Sequence, residues 1–311
     1  MIPFTKPYLT VPDQLALLGA RGMVIADLGR ATAYLERIGY YRLSGYWRIL
    51  QDRGSGNAFL PGVQFGHVID LYVFDKKLRL LMLDAIERIE IALRCDIVLL
   101  LGKLSPFAHR DKRYLHPKFT TQVKPRRTMP EHFEWLAKLD KAAKRKGEEI
   151  TEHFNATYSS HLPLWMSVEL WDVGMLSVFL NGMRYQDQEQ IARLYQLPRP
   201  ELLPSWIRSV NLVRNICAHH GRLWNRAIVD QPKPPQPNEI PLLDHLSQDQ
   251  HAQRRLYAVA ASVRYLLRRI NPMTTWGARL AELMETFPTI PGVSIHQMGF
   301  SQGWQNLSIW P

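Results

Sequence analysis

Cysteine is nearly absent. The 311 residues hold two, Cys95 and Cys217, too few for a disulfide framework or for a zinc site built on a cysteine quartet. Acidic side chains are also short, 28 Asp and Glu against 39 Lys and Arg, for a formal net charge of +11. That excess decides nothing about fold, but it favours a polyanionic partner, nucleic acid or an anionic membrane surface. No run approaches the roughly 18 apolar residues that a membrane span needs. The opening MIPFTKPYLTVPDQ has no apolar core followed by a cleavage signal, so no secretory leader is expected. No glycine-rich phosphate loop is visible, which leaves an ATPase reading unsupported. What remains is an ordinary globular composition, 46 % hydrophobic and 22 % charged, long enough for one large domain or two ordinary ones. The expectation is a soluble, basic, cytoplasmic protein.

The hydrophobic period is helical almost throughout, which predicts an all-α fold. Thr10, with Asp13 three residues on, opens DQLALLGARG, and Gly22 closes it. A second helix runs from Asp27 to Gly39, followed by the aromatic and arginine cluster YYRLSGYWRIL. From His67 to Leu101 the apolar residues Leu71, Phe74, Leu78, Leu81, Ala85, Ile89 and Ala92 mark one long amphipathic helix. A loop from Ser105 to Pro130 carries Lys112, Arg113, Lys118, Lys124, Arg126 and Arg127, with no acidic residue between Asp111 and Glu131. Further helices are expected over Glu131–Phe154, over LWMSVELWDVGMLSVFL after Pro163, over SWIRSVNLVRNICAHHGRLWNR after Pro204, and over Gln248–Ile270. Residues 231–241, QPKPPQPNEIP, cannot be helical and read as a semi-rigid linker. The aromatic-rich residues 273–311, with Trp276, Phe287, Phe300, Trp304 and Trp310, are expected to pack back onto the body.

The most informative segment is RNICAHHGRLWNR, Arg214 to Arg226. Laid out as a continuous helix, Asn215, His219, Arg222 and Arg226 share a polar stripe, whereas Val213, Ile216, Cys217, Leu223 and Trp224 form another. His220 falls among the apolar set and reads as a core histidine bonded to a backbone carbonyl. His219 lies among arginines, a setting that resists protonation unless an anion is present and so suits work on a phosphate. Arg214 lies roughly 140° round from His219 and reaches the same ligand only from the flank. The bare spacing of arginine, four residues, histidine is weak, since Arg127 and His132 also fit it. The denser string is far less accidental. Adjacent histidines on a helix splay apart and cannot share an ion, and no acidic triad is visible, so neither metal nor cofactor is expected.

The string resembles the R-N-x-x-x-H signature of HEPN ribonucleases, and its longer form resembles abortive-infection proteins of the AbiD/AbiF type. The similarity extends over nearly the whole chain, through KPYLTVPDQLALLGARGM, IGYYRLSGYW, FDKKLRLLMLDAIERIEIALR, LPLWMSVELWDVGMLS and the closing MGFSQGW and LSIWP. It implies an up-and-down HEPN-like bundle over residues 66–272, interrupted by the basic loop (105–130) and the proline-rich linker (231–241). Residues 1–60 would add an N-terminal helical segment and 273–311 a C-terminal extension. It also implies metal-independent RNA cleavage by 2′-OH attack, with Arg214 and His219 catalytic and Asn215 beside them. Arg222 and Arg226 would hold substrate phosphates. HEPN nucleases pair two copies of the motif, and this chain shows one, so a homodimer is implied.

Other features stay open between two readings. Glu90 and Arg94 form an intrahelical ion pair, or one of them orients Arg214 or His219. Lys118, Lys124, Arg126 and Arg127, with the later KAAKRK, are solvated surface or a groove that tracks RNA, with Tyr114 and Phe119 available to stack on bases. The YYRLSGYWR cluster is core with surface arginines, or a stacking platform. Cys95 and Cys217 read as small buried apolar residues. Two function classes follow: a toxic endoribonuclease effector of phage defence, or a non-catalytic module that binds RNA or protein.

Overall fold

Recurrence of apolar residues every three or four positions closes helix after helix, and no stretch alternates long enough to build a sheet. The computed structural model describes residues 3, 5, 7–52, 54, 56–144, 149–158 and 161–310. Among them the chain is all-α, with β pairing limited to isolated bridges such as Val24 with Gln64 and Leu115 with Met183. The helices of eight or more residues are α1 (Val11–Ala20), α2 (Leu28–Ile38), α3 (Tyr40–Trp47), α4 (Phe65–Leu101), α5 (Glu131–Ala143), α6 (Glu149–Thr157), α7 (Val173–Gly182), α8 (Tyr185–Leu194), α9 (Leu202–Ala218), α10 (Leu256–Ile270) and α11 (Trp276–Glu285). Thr10 and Asp27 cap α1 and α2 through their side chains, as their positions in the sequence require.

The spine is α4, 37 residues long and therefore about 55 Å from end to end. It packs against α3, α9, α10 and α11. Leu71, Phe74, Leu78, Met82, Ala85, Ile89, Leu93 and Ile97 line its buried face. Two charged residues, Asp75 and Arg79, are buried in that same stripe. The α9 helix lies against α4, α7 and α10. The C-terminal residues pack on α10: the buried Arg264 donates to the carbonyls of Ile309 (3.1 Å) and Thr274 (3.3 Å), and Trp310 Nε1 donates to Tyr257 Oη at 3.2 Å. Trp276 Nε1 donates to Leu81 O at 2.9 Å and ties α11 to the spine.

Several helices end earlier than periodicity predicts. The apolar stretch after Pro163 is not one helix. It is a short helix, Leu164–Ser167, a 3-10 turn, Val168–Leu170, and then α7. Asp172 breaks it by accepting the Met175 amide at 2.7 Å, which makes it a cap and not an interior residue. The helix expected over Gln248–Ile270 is interrupted at Arg255, which is extended. Ile228 N takes the Arg254 carbonyl at 3.0 Å and draws it out of the helical ladder. The helix expected over Glu131–Phe154 is α5 and α6, and Arg145 and Lys146 of the KAAKRK stretch lie outside the described residues. The proline-rich 231–241 segment is tied to α9: Trp206 Nε1 donates to Lys233 O at 2.8 Å, and Lys233 N donates to Ser205 Oγ at 2.9 Å. Cys217 is buried but Cys95 is exposed, against expectation.

His109 is fully buried beside Trp171 and Trp135. Neither of its ring nitrogens has a partner among the described residues. Burial, and secondarily the charges of Arg110, His132 and His161, push its pKa down from 6.5 to about 3. An unfolded chain therefore binds a proton near pH 6.5 that the folded chain refuses. His109's contribution is complete above that pH and is lost as pH falls towards 3. At pH 5 the loss is about 2 kcal/mol from this residue alone. Urea melts at pH 7 and pH 5 should show it, and His109→Phe should flatten the difference. An unchanged slope in that variant would assign the acid sensitivity elsewhere.

Candidate active site

The motif straddles a helix end. α9 stops at Ala218, with His219 as its C-cap. The termination is a Schellman turn: His220 N bonds to Cys217 O at 3.0 Å and Gly221 N to Ile216 O at 2.8 Å. His220 occupies the left-handed position at φ 55°, a place that glycine usually takes. The expected helical stripe joining His219 to Arg222 and Arg226 therefore does not exist, because the chain leaves the helix between them. His220 is exposed and not a core residue. Its turn position, not an apolar face, decides where its ring points. His220→Gly should raise stability by roughly 0.5–1 kcal/mol by removing the left-handed cost, read as a higher midpoint in thermal melts. An unchanged or lower midpoint would show that the imidazole makes a compensating contact.

Residues far away in sequence hold this turn at four backbone points. Asp75 accepts the amides of Leu223 (3.1 Å) and Trp224 (2.7 Å), and the hydroxyl of Tyr46 (2.7 Å). Arg79 donates to Asp75 and, at 3.4 Å, to Gly221 O. Arg42 of α3 donates to His220 O at 2.7 Å. Arg222 reaches back to Gly45 O. Burial pushes the Asp75 carboxyl above its ordinary range, and the Tyr46 hydroxyl, the Arg79 guanidinium and the two amides act against it. Burial, then Asp75, pushes the Tyr46 hydroxyl up, so Tyr46 stays a donor. Leu223 and Trp224 are driven into the core. The result is a rigid platform with His219 and His220 facing water.

Arg214 and Asn215 lie one turn earlier on α9, both half-buried. Arg214 Nη1 donates to Asn215 Oδ1 at 3.3 Å, and Asn215 Nδ2 approaches Asn211 Oδ1 at 3.5 Å. Arg214 acts electrostatically on Glu90 of α4 and on Asp172 at the start of α7. Burial pushes the Glu90 carboxyl up against the pull of Arg94 and Arg214. Burial also raises Asp172, but Lys138, the Met175 amide and Arg214 together outweigh it and hold that carboxyl low. Glu90 and Arg94 do form their ion pair, at 2.6 Å, and Arg94 also bonds Glu169 and the Trp171 carbonyl. The intrahelical pair and a bearing on Arg214 thus coexist at Glu90. Cys217 is no nucleophile, since burial pushes its thiol up to about 12.

The basic loop is elsewhere. Lys124 pairs with Glu131 at 2.6 Å, and Arg127 pairs with Glu134 and Glu131. Lys118 and Arg126 are exposed. Lys118 and Lys124 line a cavity of ≈ 420 Å³ with His116 and Tyr185, and Lys124 also borders a second of ≈ 350 Å³ with Arg208 and Lys233. From Arg208 to His219 is about 16 Å along the helix, so the fold sets these cations towards the opposite end of α9. Phe119 is buried and unavailable to stack on a base. Among the described residues, no group of three or more His, Cys, Asp or Glu is placed to hold a metal ion, and no helix is long and apolar enough to cross a membrane.

Asp75, Arg79, Tyr46 and Arg42 escape a reading by motif. The signal at Asp75 and Arg79 was their place in the apolar register of α4, four residues after Leu71 and one after Leu78, where a buried charge must have a partner.

No curated protein and no solved structure matches the chain. The family model for Abi-like protein matches residues 33–225. That span takes in most of α2, all of α3 and α4 with Tyr46, Asp75 and Arg79, and the helix end that carries His219. The match covers more than half of the sequence, and the chain belongs to the abortive-infection Abi-like protein family.

Proposed function

We propose that this protein is a metal-independent endoribonuclease of the HEPN type, a toxic effector of phage defence in the AbiD/AbiF manner, working in the cytoplasm. The observation that carries the reading is the exposed His219, fixed at the end of α9 by the Asp75 latch, with Arg214 and Asn215 one turn below. In the reaction a ribose 2′-OH attacks the adjacent phosphate and the 5′ oxygen leaves, giving a 2′,3′-cyclic phosphate and a 5′-OH. His219 takes the hydroxyl proton or supplies one to the leaving oxygen. Both jobs need two imidazoles in opposite protonation states, which a homodimer provides. Arg214 neutralises charge on the crowded phosphorane, its planar fork matching phosphate oxygens, and Arg222 and Arg226 hold flanking phosphates.

A second reading has its own support. Arg214 already lies in the field of Glu90 and Asp172, which suits a structural cation in a non-catalytic RNA-binding module. The deciding experiment is purified protein with mixed single-stranded and structured RNA in EDTA, with chemical analysis of the 3′ ends. Cyclic phosphate is expected. Tight RNA binding without cleavage, before and after bound nucleic acid is stripped, would select the module instead.

A further inference from the structure

Positive charge is spread over much of the surface, and part of it is answered by neighbouring carboxylates. Arg113, Lys124, Arg127, Lys138 and Arg193 all pair with carboxylates. Beside the His219 turn, cations gather without such pairing among the described residues. Arg48 and Arg226 are exposed, and their charges act on Arg222. The carboxylate acting there is Asp75, which is fully buried and committed to Tyr46, Arg79 and two amides. Burial, with Arg226 and Arg48, holds the Arg222 guanidinium below its usual value. Among the described residues no surface carboxylate pairs with these three cations, a setting that favours an anion from outside.

The adjoining face of α3 has the shape for such a ligand. Tyr41 is 92 % exposed, an aromatic ring offered to water in the residue next to Arg42, which bonds His220 O at 2.7 Å. Tyr41, Gly45 and Arg48 recur at i, i+4 and i+7 and share one side of the helix. Gly45 sits in a helix interior against its propensity, and a Cβ there would meet nothing within 4 Å. The face is therefore a ring, a gap and a guanidinium in a row. Arg226 curls over the turn itself: a Cβ on Gly221 would lie 3.7 Å from its Nη1.

Resting on the ribonuclease reading above, we propose that this surface is where the substrate lies. The outer face of α3 and the His219 turn take single-stranded RNA, with Tyr41 stacking on a base, Gly45 giving room for the backbone, and Arg48 and Arg226 holding phosphates. The preference for single strands follows from the ring, since a base can stack on it only when unpaired. The basic loop towards the other end of α9, where Lys124 and Arg127 are already ion-paired, is then not the RNA track.

The test is fluorescence anisotropy with a labelled single-stranded RNA oligonucleotide, using the full chain with His219→Ala as parent so that binding is read without cleavage. Tyr41→Ala should weaken binding about 5- to 100-fold, and Tyr41→Phe should retain it, because stacking needs the ring and not the hydroxyl. Arg48→Ala with Arg226→Ala should reduce the slope of log affinity on log salt by about 1.4, at 0.7 per phosphate contact on a single strand. Lys118→Ala with Arg126→Ala should leave both nearly unchanged. All the substituted side chains are exposed, so circular dichroism should confirm that each variant folds like the parent. The proposal is overturned if the loop pair carries the loss, if Tyr41→Phe binds as weakly as Tyr41→Ala, or if Tyr41→Ala changes the oligomeric state and not RNA affinity. A parent that binds no RNA overturns it too, together with the reading it rests on. Binding lost in the α3 variants of a protein that never cleaves would uphold the surface and sink the nuclease. Cleavage by wild type with intact binding in those variants would do the reverse.

Discussion

His219→Ala is expected to lower RNA cleavage about 10²- to 10⁴-fold, the range for removing a general acid or base, while RNA affinity stays within a few-fold of wild type. The two readouts separate because His219 is an exposed C-cap whose backbone amide, not its ring, makes the structural bond, to Asn215 O at 3.0 Å. Its imidazole makes no hydrogen bond among the described residues, so removal leaves no buried group without a partner. Stability should hardly change. If the active unit is a dimer with one imidazole as base and the other as acid, mixing wild-type and variant subunits should give heterodimers much slower than half the wild-type rate. Equal loss of binding and cleavage would return His219 to the binding surface and remove it from the chemistry.

Asp75→Ala is expected to cost about 3–5 kcal/mol of stability, the usual result of deleting one partner of a buried ion pair. That corresponds to a fall of the melting point on the order of 10 °C. The substitution leaves the buried Arg79 without its counter-charge and the amides of Leu223 and Trp224 without an acceptor. Each of these is costly in a site that excludes water. Asp75→Asn separates charge from geometry. Its amide oxygen still accepts the Trp224 amide, so the turn is kept while Arg79 loses an anion, and an intermediate loss is expected. Cleavage should fall with the turn's order even where the variants remain folded, since His219 and Gly221 are positioned through this latch. A melting point for Asp75→Ala equal to wild type would remove the latch as the element that orders the turn.

The composition and period of the chain carry the all-α architecture because helical periodicity, caps and breakers act over a few residues. Thr10 and Asp27 cap where local chemistry says they must. The long run from Leu71 to Val98 is helical for the same reason, and the dense string from Arg214 to Arg226 was visible because rare residues recur close together. Asp172 was read as part of an apolar helix because its neighbours are apolar, yet its carboxylate caps α7. The helix after Pro204 was extended through Arg226 because no glycine stands at the left-handed position, which His220 fills.

What the sequence alone determined, then, is the all-α class with its main helices, the excess of positive charge and the presence of an arginine-histidine motif. Tertiary structure decided where that motif leaves its helix, which of its histidines face water, and which cations stay unpaired. The reason is separation along the chain. Asp75 meets Leu223 and Trp224 across nearly 150 residues, and Arg42 meets His220 across 178. No local preference encodes such meetings. They exist because burying the faces of α3, α4 and α9 together forces the charged residues on those faces to find partners.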